Sequence, residues 1–171
     1  MDDSKELVVL VDENDVKIGL APKLEAHRTG ELHRAFSVML IDSRGRLLLQ
    51  RRAFEKYHSG GRWANTCCGH PRDGESVVDS AERRLAEEMG ITCALTQAGS
   101  FIYRANVDAG LVEHELDHLL IGRFDGDPVP TASEVVEWKW SSLDEVKRDL
   151  GENPDAYAAW FPAALNAFER S

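Results

Sequence analysis

Three groupings in this 171-residue chain have the residue types and spacing to do chemistry. Cys67 and Cys68 stand together in the run Asn65-Thr66-Cys67-Cys68-Gly69-His70-Pro71. The run follows an extended segment, where neighbouring side chains point to opposite faces, so one thiol is expected to face a cleft and the other the interior. Glu113 and Glu115 lie two apart in an apolar, alternating stretch, which puts both carboxylates on one face of a strand. Carboxylates side by side repel unless something neutralises them, and a bound metal ion does that. Arg84 and Glu88 lie four apart on a helical pattern and share its face, with Glu87 beside them. A glutamate there can hold Mg²⁺, a hard cation that takes carboxylate, water and phosphate oxygens. A neighbouring guanidinium can grip phosphate through two parallel hydrogen bonds.

Positioning these groups takes strands on both sides of one central helix. Residues 76–89 carry Val77, Val78, Ala81, Leu85 and Met89 at helical spacing, and Gly90 suits the helix end. Residues 6–11, 34–41, 46–51 and a short piece, 63–66, read as strands before it. Residues 100–107, 112–124 and 135–140 read as strands after it. Turns fall at Glu13-Asn14-Asp15 and Asp42-Ser43-Arg44-Gly45. Residues 142–150 are expected as a helix capped by Ser142 or Ser141. Asn153 is expected to cap a last helical stretch that begins at Pro154 and restarts at Pro162. The sum is a mixed α/β domain.

Composition narrows the function classes. Hydrophobic residues make up 43% and charged residues 29%, ordinary for one globular domain over residues 1–171. No apolar run is long enough to span a membrane. The polar, acidic N-terminus lacks the pattern of a secretory signal. Three cysteines, two of them adjacent, do not form a disulfide framework and suggest a reducing cytoplasm. A formal net charge of −10 argues against a nucleic-acid partner. It leaves room for a small anion, because a few clustered cations can dominate a cleft.

From Gly69 onward the spacing continues through Glu75, Arg83, Arg84, Leu85, Glu87, Glu88, Gly90 and Ile91. This resembles the Nudix box, G-x5-E-x7-R-E-U-x-E-E-x-G-U with U a bulky apolar residue. Every fixed position matches except one, where Arg84 replaces a glutamate. A face of mixed charges is by default only solvated, and the box spacing is what favours a diphosphate role. Nudix hydrolases concentrate negative charge on that helix to hold the metals that activate water. A reversed charge implies the fold and the diphosphate affinity without ordinary hydrolysis.

The Asn65–Pro71 run, the Trp63-Ala64 before it and Glu113-His114-Glu115 resemble the type 1 isopentenyl-diphosphate isomerase family. The likeness runs from about Lys23 to Trp160, through residues 27–36 and 50–56. It implies a Nudix fold, a mixed sheet sandwiched between helices, with a core near residues 31–165. It implies conversion of isopentenyl diphosphate to dimethylallyl diphosphate by protonation and deprotonation. Cys68 then matches the catalytic cysteine, and Cys67 is its structural neighbour. His27, His33, His70, Glu113 and Glu115 match a buried octahedral site for Mn²⁺, Mg²⁺ or Zn²⁺, a fitting mixed N/O ligand set. Glu88 matches the ligand of a second Mg²⁺ that arrives with the diphosphate. Lys23, Arg52, Lys56 and Arg84 match the basic residues around that diphosphate. Tyr103 and Trp160 match the aromatic lining of the hydrocarbon end.

Arg51 should point the other way on its strand. His58, His114 and His118 are taken as ordinary hydrogen-bonded or exposed histidines, with His118 opposite to Glu115. Cys68 and Glu115 form the expected acid–base pair, with Tyr103 assisting. Trp160 can favour developing positive charge by about 1–2 kcal/mol when desolvated. The expected partner is a small diphosphate, with no nucleic acid and no membrane, for a monomer or homodimer. A Nudix hydrolase of a nucleoside diphosphate derivative keeps the box but gives Arg84, the cysteine and the histidines no task. A binding module without turnover is the other alternative.

Overall fold

The structure, a computed structural model, describes residues 6–171. The hairpin of β1 (Leu7–Val11) and β2 (Lys17–Pro22) turns where Asp12 Oδ1 accepts the backbone N–H of Asn14 and Val16. β2 runs straight into α1 (Lys23–Thr29), which Gly30 ends in the left-handed region, φ +70°. Neither β2 nor α1 is legible in the sequence. A two-turn helix is too short to show a periodicity, and β2 is an edge strand with one buried side chain, Ala21.

β3 (His33–Ile41) pairs in parallel with β8 (Val112–Arg123), with His33 opposite Glu115 and Ile41 opposite Arg123. All other strand pairs are antiparallel, so the sheet is mixed. β3 meets β4 (Leu47–Arg52) at Ile41 and Leu47, and from there the two strands splay. The gap is bridged by β5 (Trp63–Ala64), which pairs with β4, and β6 (Cys67–Gly69), which pairs with β3. The single strand expected over 63–66 is therefore two pieces that change partner at Asn65 and Thr66. Thr66 ties the crossover to both strands: its hydroxyl donates to Leu48 O at 2.7 Å and accepts the Leu40 N–H at 3.0 Å.

The strand expected from residue 100 is β7 (Leu95–Asn106), paired with β8 and interrupted by a register shift between Gln97 and Ser100. The irregularity at Gly99, φ +118°, and a solvent-facing outer side break the alternation that would have extended it. β9 (Val135–Ser141) lies against β4.

α2 (Val77–Met89) begins where Ser76 Oγ accepts the Asp79 N–H and ends at Gly90, φ +65°. A Cβ on Gly90 would also sit 2.6 Å from Val129 O, so the close approach requires glycine. Ala81, Leu85 and Met89 pack on Phe36, Val38, Leu40, Leu48 and Leu120. The other sheet face puts Met39, Leu47, Leu49 and Leu119 against Val146 of α3 (Leu143–Glu152) and Phe161, Ala164 and Leu165 of α4 (Phe161–Arg170). The sheet thus lies between helices, an α+β arrangement. Ser142 and Glu145 form a reciprocal cap at α3.

The end of the chain corrects one expectation. Asn153 makes no side-chain cap; its amide donates to Asp149 Oδ1 instead, and Pro154–Ala156 is a single 3-10 turn. The helix proper starts anew at Phe161, with Pro162 in its first turn.

Candidate active site

The splayed strands leave a cleft of about 680 Å³, measured out to its open mouth. β8 supplies one wall. Its alternation turns Glu113, Glu115 and Asp117 to the same side, all buried. Facing them are His27 from α1, His33 at the start of β3, and His70 just after β6. His33 Nε2 and His27 Nε2 each lie 3.5 Å from a carboxylate oxygen, of Glu115 and Glu113 respectively. His70 Nε2 lies 2.9 Å from the same Glu115 oxygen.

The imidazoles are oriented from behind. His27 Nδ1 sits 2.7 Å from Lys23 O and His33 Nδ1 sits 2.9 Å from Glu31 O. A carbonyl only accepts, so both Nδ1 atoms carry the hydrogen. The remaining Nε2 atoms are fully buried and have no hydrogen-bond partner. A lone pair aimed at a carboxylate is repelled unless a proton or a cation lies between them. This donor set, imidazole and carboxylate with backbone carbonyls behind, fits a divalent first-row ion. His27, His33, His70 and Glu115 converge as one group; Glu113 instead converges with His27 and His58.

Burial opposes charge throughout this wall. It lowers His70, and the adjacent Glu115 does not recover the loss. Burial would lower His27 too, but the Glu113 carboxylate overrides it and raises the imidazole. Burial would raise Glu113 and Glu115, and the facing histidines pull both down, Glu113 well below the carboxylate range. Asp117 has no histidine; burial, then the Glu115 charge, pushes it well above that range, and it accepts the Ser37 hydroxyl at 2.7 Å. Tyr103 donates to Glu115 at 2.6 Å, its phenol kept protonated by burial and the two glutamates.

The two thiols separate as strand alternation requires. Cys67 turns into the core beside Leu85 and Met89 with no exposure. Cys68 turns to the cleft, between Tyr103 and Trp160. Burial pushes both thiols up, so each is a neutral S–H.

The cleft is also lined by cations. Arg84 pairs with Glu88 and Glu87, and lies 3.5 Å from Glu134, which also holds Lys56. Those carboxylates keep the Arg84 guanidinium charged despite burial. Lys23 pairs with Glu6 at 2.9 Å. Arg52 lies 4.9 Å over the Trp160 ring and so occupies one of its faces. Arg51 points away, to Gly61 O and Glu137.

Residues 31–161 match the NUDIX domain family. Isopentenyl-diphosphate Delta-isomerase 2 of Aromatoleum aromaticum is 51% identical over 162 residues, covering 95% of this chain and 86% of that protein. The isopentenyl-diphosphate Delta-isomerase of Serratia proteamaculans is 49% identical over 156 residues, covering 91% of this chain and 87% of its own. This chain belongs to the isopentenyl-diphosphate Delta-isomerase family. Its fold is shared more widely: a Deinococcus radiodurans crystal structure superposes with a TM-score of 0.77 at 18% identity, covering 96% of this chain and 98% of that one. A MutT Nudix hydrolase from Burkholderia pseudomallei superposes at 0.62 and 19% identity, covering 80% of this chain and 97% of that one.

For an isopentenyl-diphosphate Delta-isomerase family chain, the structure gathers what the sequence singled out. Cys68, His70, Glu88, Tyr103, Glu113, Glu115, Lys23, Arg52, Lys56, Arg84 and Trp160 line one cleft, and His27 and His33 close it from behind. His58, expected as an ordinary hydrogen-bonded or exposed histidine, is buried, lines the cleft, and lies 2.9 Å from Glu113 Oε1. His118 does face away, towards Asp15 and Gln97, and His114 meets Gly30 O. Asp117, Glu134 and Asn65 also belong to the site. Asp117 was legible, two further along the alternation of Glu113 and Glu115. His58 and Glu134 come from loops, where no periodicity marks them.

Proposed function

We infer that this chain is an isopentenyl-diphosphate Delta-isomerase, moving a double bond one position to give dimethylallyl diphosphate. A proton is added at the terminal methylene carbon and another leaves carbon 2, so the reaction is redox-neutral. An unactivated alkene is a very weak base, and the charge that develops resembles a tertiary carbocation. Proton-carrying groups must therefore flank the substrate in a site that excludes water.

One observation carries this reading: Cys68 and the Tyr103–Glu115 pair face one cleft that is also lined by Lys23, Arg52, Lys56 and Arg84. Cys68 and Glu115 are the proton-carrying pair, and the Tyr103 hydroxyl relays at Glu115. Trp160, which lines the cleft, lies against the hydrocarbon end. Lys23, Arg52, Lys56 and Arg84 hold the diphosphate, which uses remote binding energy to place the reacting carbons. His27, His33, His70, Glu113 and Glu115 would hold Mn²⁺, Mg²⁺ or Zn²⁺, and Glu88 a Mg²⁺ shared with the diphosphate. Such ions supply charge neutralisation and a fixed frame for the carboxylates. Three unpaired cysteines suit a cytoplasmic enzyme. Among the described residues no helix is long and apolar enough to cross a membrane.

The test is incubation with isopentenyl diphosphate and Mg²⁺ in heavy water, followed by NMR. Dimethylallyl diphosphate carrying deuterium is expected. Phosphate release without isomerisation would instead identify a hydrolase. Arg84 speaks against that second reading, since it neutralises Glu87 and Glu88 on the helix that hydrolases keep acidic.

A further inference from the structure

Asn65 sits at the point where the chain passes from β4 to β3, with no solvent exposure. Its amide orientation follows from its partners. Nδ2 faces two carbonyls, Cys67 O at 2.8 Å and Val38 O at 3.3 Å, and so must donate. Oδ1 faces the Trp160 indole N–H at 3.1 Å, a group that can only donate. The same oxygen receives the Cys68 thiol at 3.2 Å. An amide oxygen only accepts, so the thiol donates to it. A side chain pinned by two backbone carbonyls thus presents one atom to two groups, one three residues along the chain and one from the distant C-terminal segment.

We propose that Asn65 is a positioning residue for the isomerisation, fixing the Cys68 sulfur and the Trp160 ring relative to each other through its single carbonyl oxygen. The inference rests on the role given to Cys68 above. Without Asn65 the sulfur keeps, among the described residues, only the distant Ser37 hydroxyl at 3.9 Å as a side-chain polar neighbour. Trp160 keeps Arg52 on its face, His58 at 5.9 Å edge-on and its packing with Ala64 and Ala158, but loses the acceptor of its indole N–H. The oxygen therefore decides where the thiol and the indole stand beside the alkene, while the cations that hold the diphosphate do not involve Asn65.

The experiment compares Asn65→Ala, Trp160→Phe, Thr66→Val and Cys68→Ala in the full chain. It measures kcat, KM for isopentenyl diphosphate, and the melting temperature. Thr66 is the neighbouring crossover side chain, and its hydroxyl bonds only the Leu48 and Leu40 backbone. Thr66→Val should therefore lower the melting temperature and keep kcat within about threefold. Asn65→Ala should lower kcat about 100-fold, the scale of a misplacement near 1 Å, with KM within about threefold. Trp160→Phe removes the indole donor together with part of the ring and should lower kcat about tenfold; the Asn65→Ala/Trp160→Phe double variant should lose less than the two losses multiplied. If Asn65→Ala loses no more kcat than Thr66→Val, or the two losses simply multiply, the positioning role is wrong. Should Asn65→Ala not fold, Trp160→Phe with unchanged kcat overturns it. An active Cys68→Ala would sink the underlying reading itself; an inactive one beside a fully active Asn65→Ala sinks only this proposal.

Discussion

The two ends of the cleft are built on opposite electrostatic plans. At the end proposed for the diphosphate, Arg84, Glu87 and Glu88 come from one helix and pair with one another, with Glu134 joining Arg84 to Lys56. At the histidine end the groups come from separate elements, α1, β3, β8 and the segments around β6 and β5, and they leave buried atoms without partners. A self-paired cluster costs little when empty and yields when a stronger anion competes for its cations. A cluster of buried imidazole lone pairs and carboxylates, held by backbone carbonyls, is satisfied only when a proton or a cation lies between them. The first plan suits a substrate that comes and goes, and the second a resident ion.

That contrast breaks if variants at the two ends fail in the same way. The largest effect is expected at the reacting end. Cys68→Ala and Glu115→Gln should each lower kcat by about 1,000-fold or more with the fold intact; a mild Glu115→Gln would remove that residue from proton transfer. Protein purified without chelator should carry about one tightly held divalent ion per chain, and His33→Ala should lose it; metal analysis decides this. An active enzyme with no such ion would contradict the resident-ion plan. Arg84→Glu attacks the other end. It should raise KM for isopentenyl diphosphate about 10- to 100-fold, the value of a charged hydrogen bond, while leaving that metal content unchanged.

Two smaller effects sharpen the comparison by lying outside both ends. Cys67→Ala should cost about 1 kcal/mol of stability and leave kcat unchanged, since Cys67 packs in the core. Loss of activity there would show that the two thiols had been exchanged. Glu75 is held at a pKa of about 2 chiefly by hydrogen bonds from Arg83. A lowered folded-state pKa adds stability above the ordinary value of 4.5, and that stability is lost as pH falls toward 2. The melting-temperature gap between wild type and Glu75→Gln should therefore be widest at neutral pH and shrink on acidification to pH 3.

Local periodicity and motif spacing by themselves determined the central helix with its caps, the long strands, the facing carboxylates on β8, and the box that carries Glu88 and Arg84. Each of these follows from side chains a few residues apart, whose directions the backbone geometry dictates. Strand alternation even required that Cys67 and Cys68 part company, though it left open which one meets the cleft. Tertiary structure alone decided that, because the answer depends on which strand β6 pairs with and on where the C-terminal segment returns. It also decided the places of His58 and Glu134, which sit in loops, and of Asn65, whose oxygen joins residues 68 and 160. Such contacts join positions far apart in the chain, and their geometry is set by packing that no short window of sequence contains.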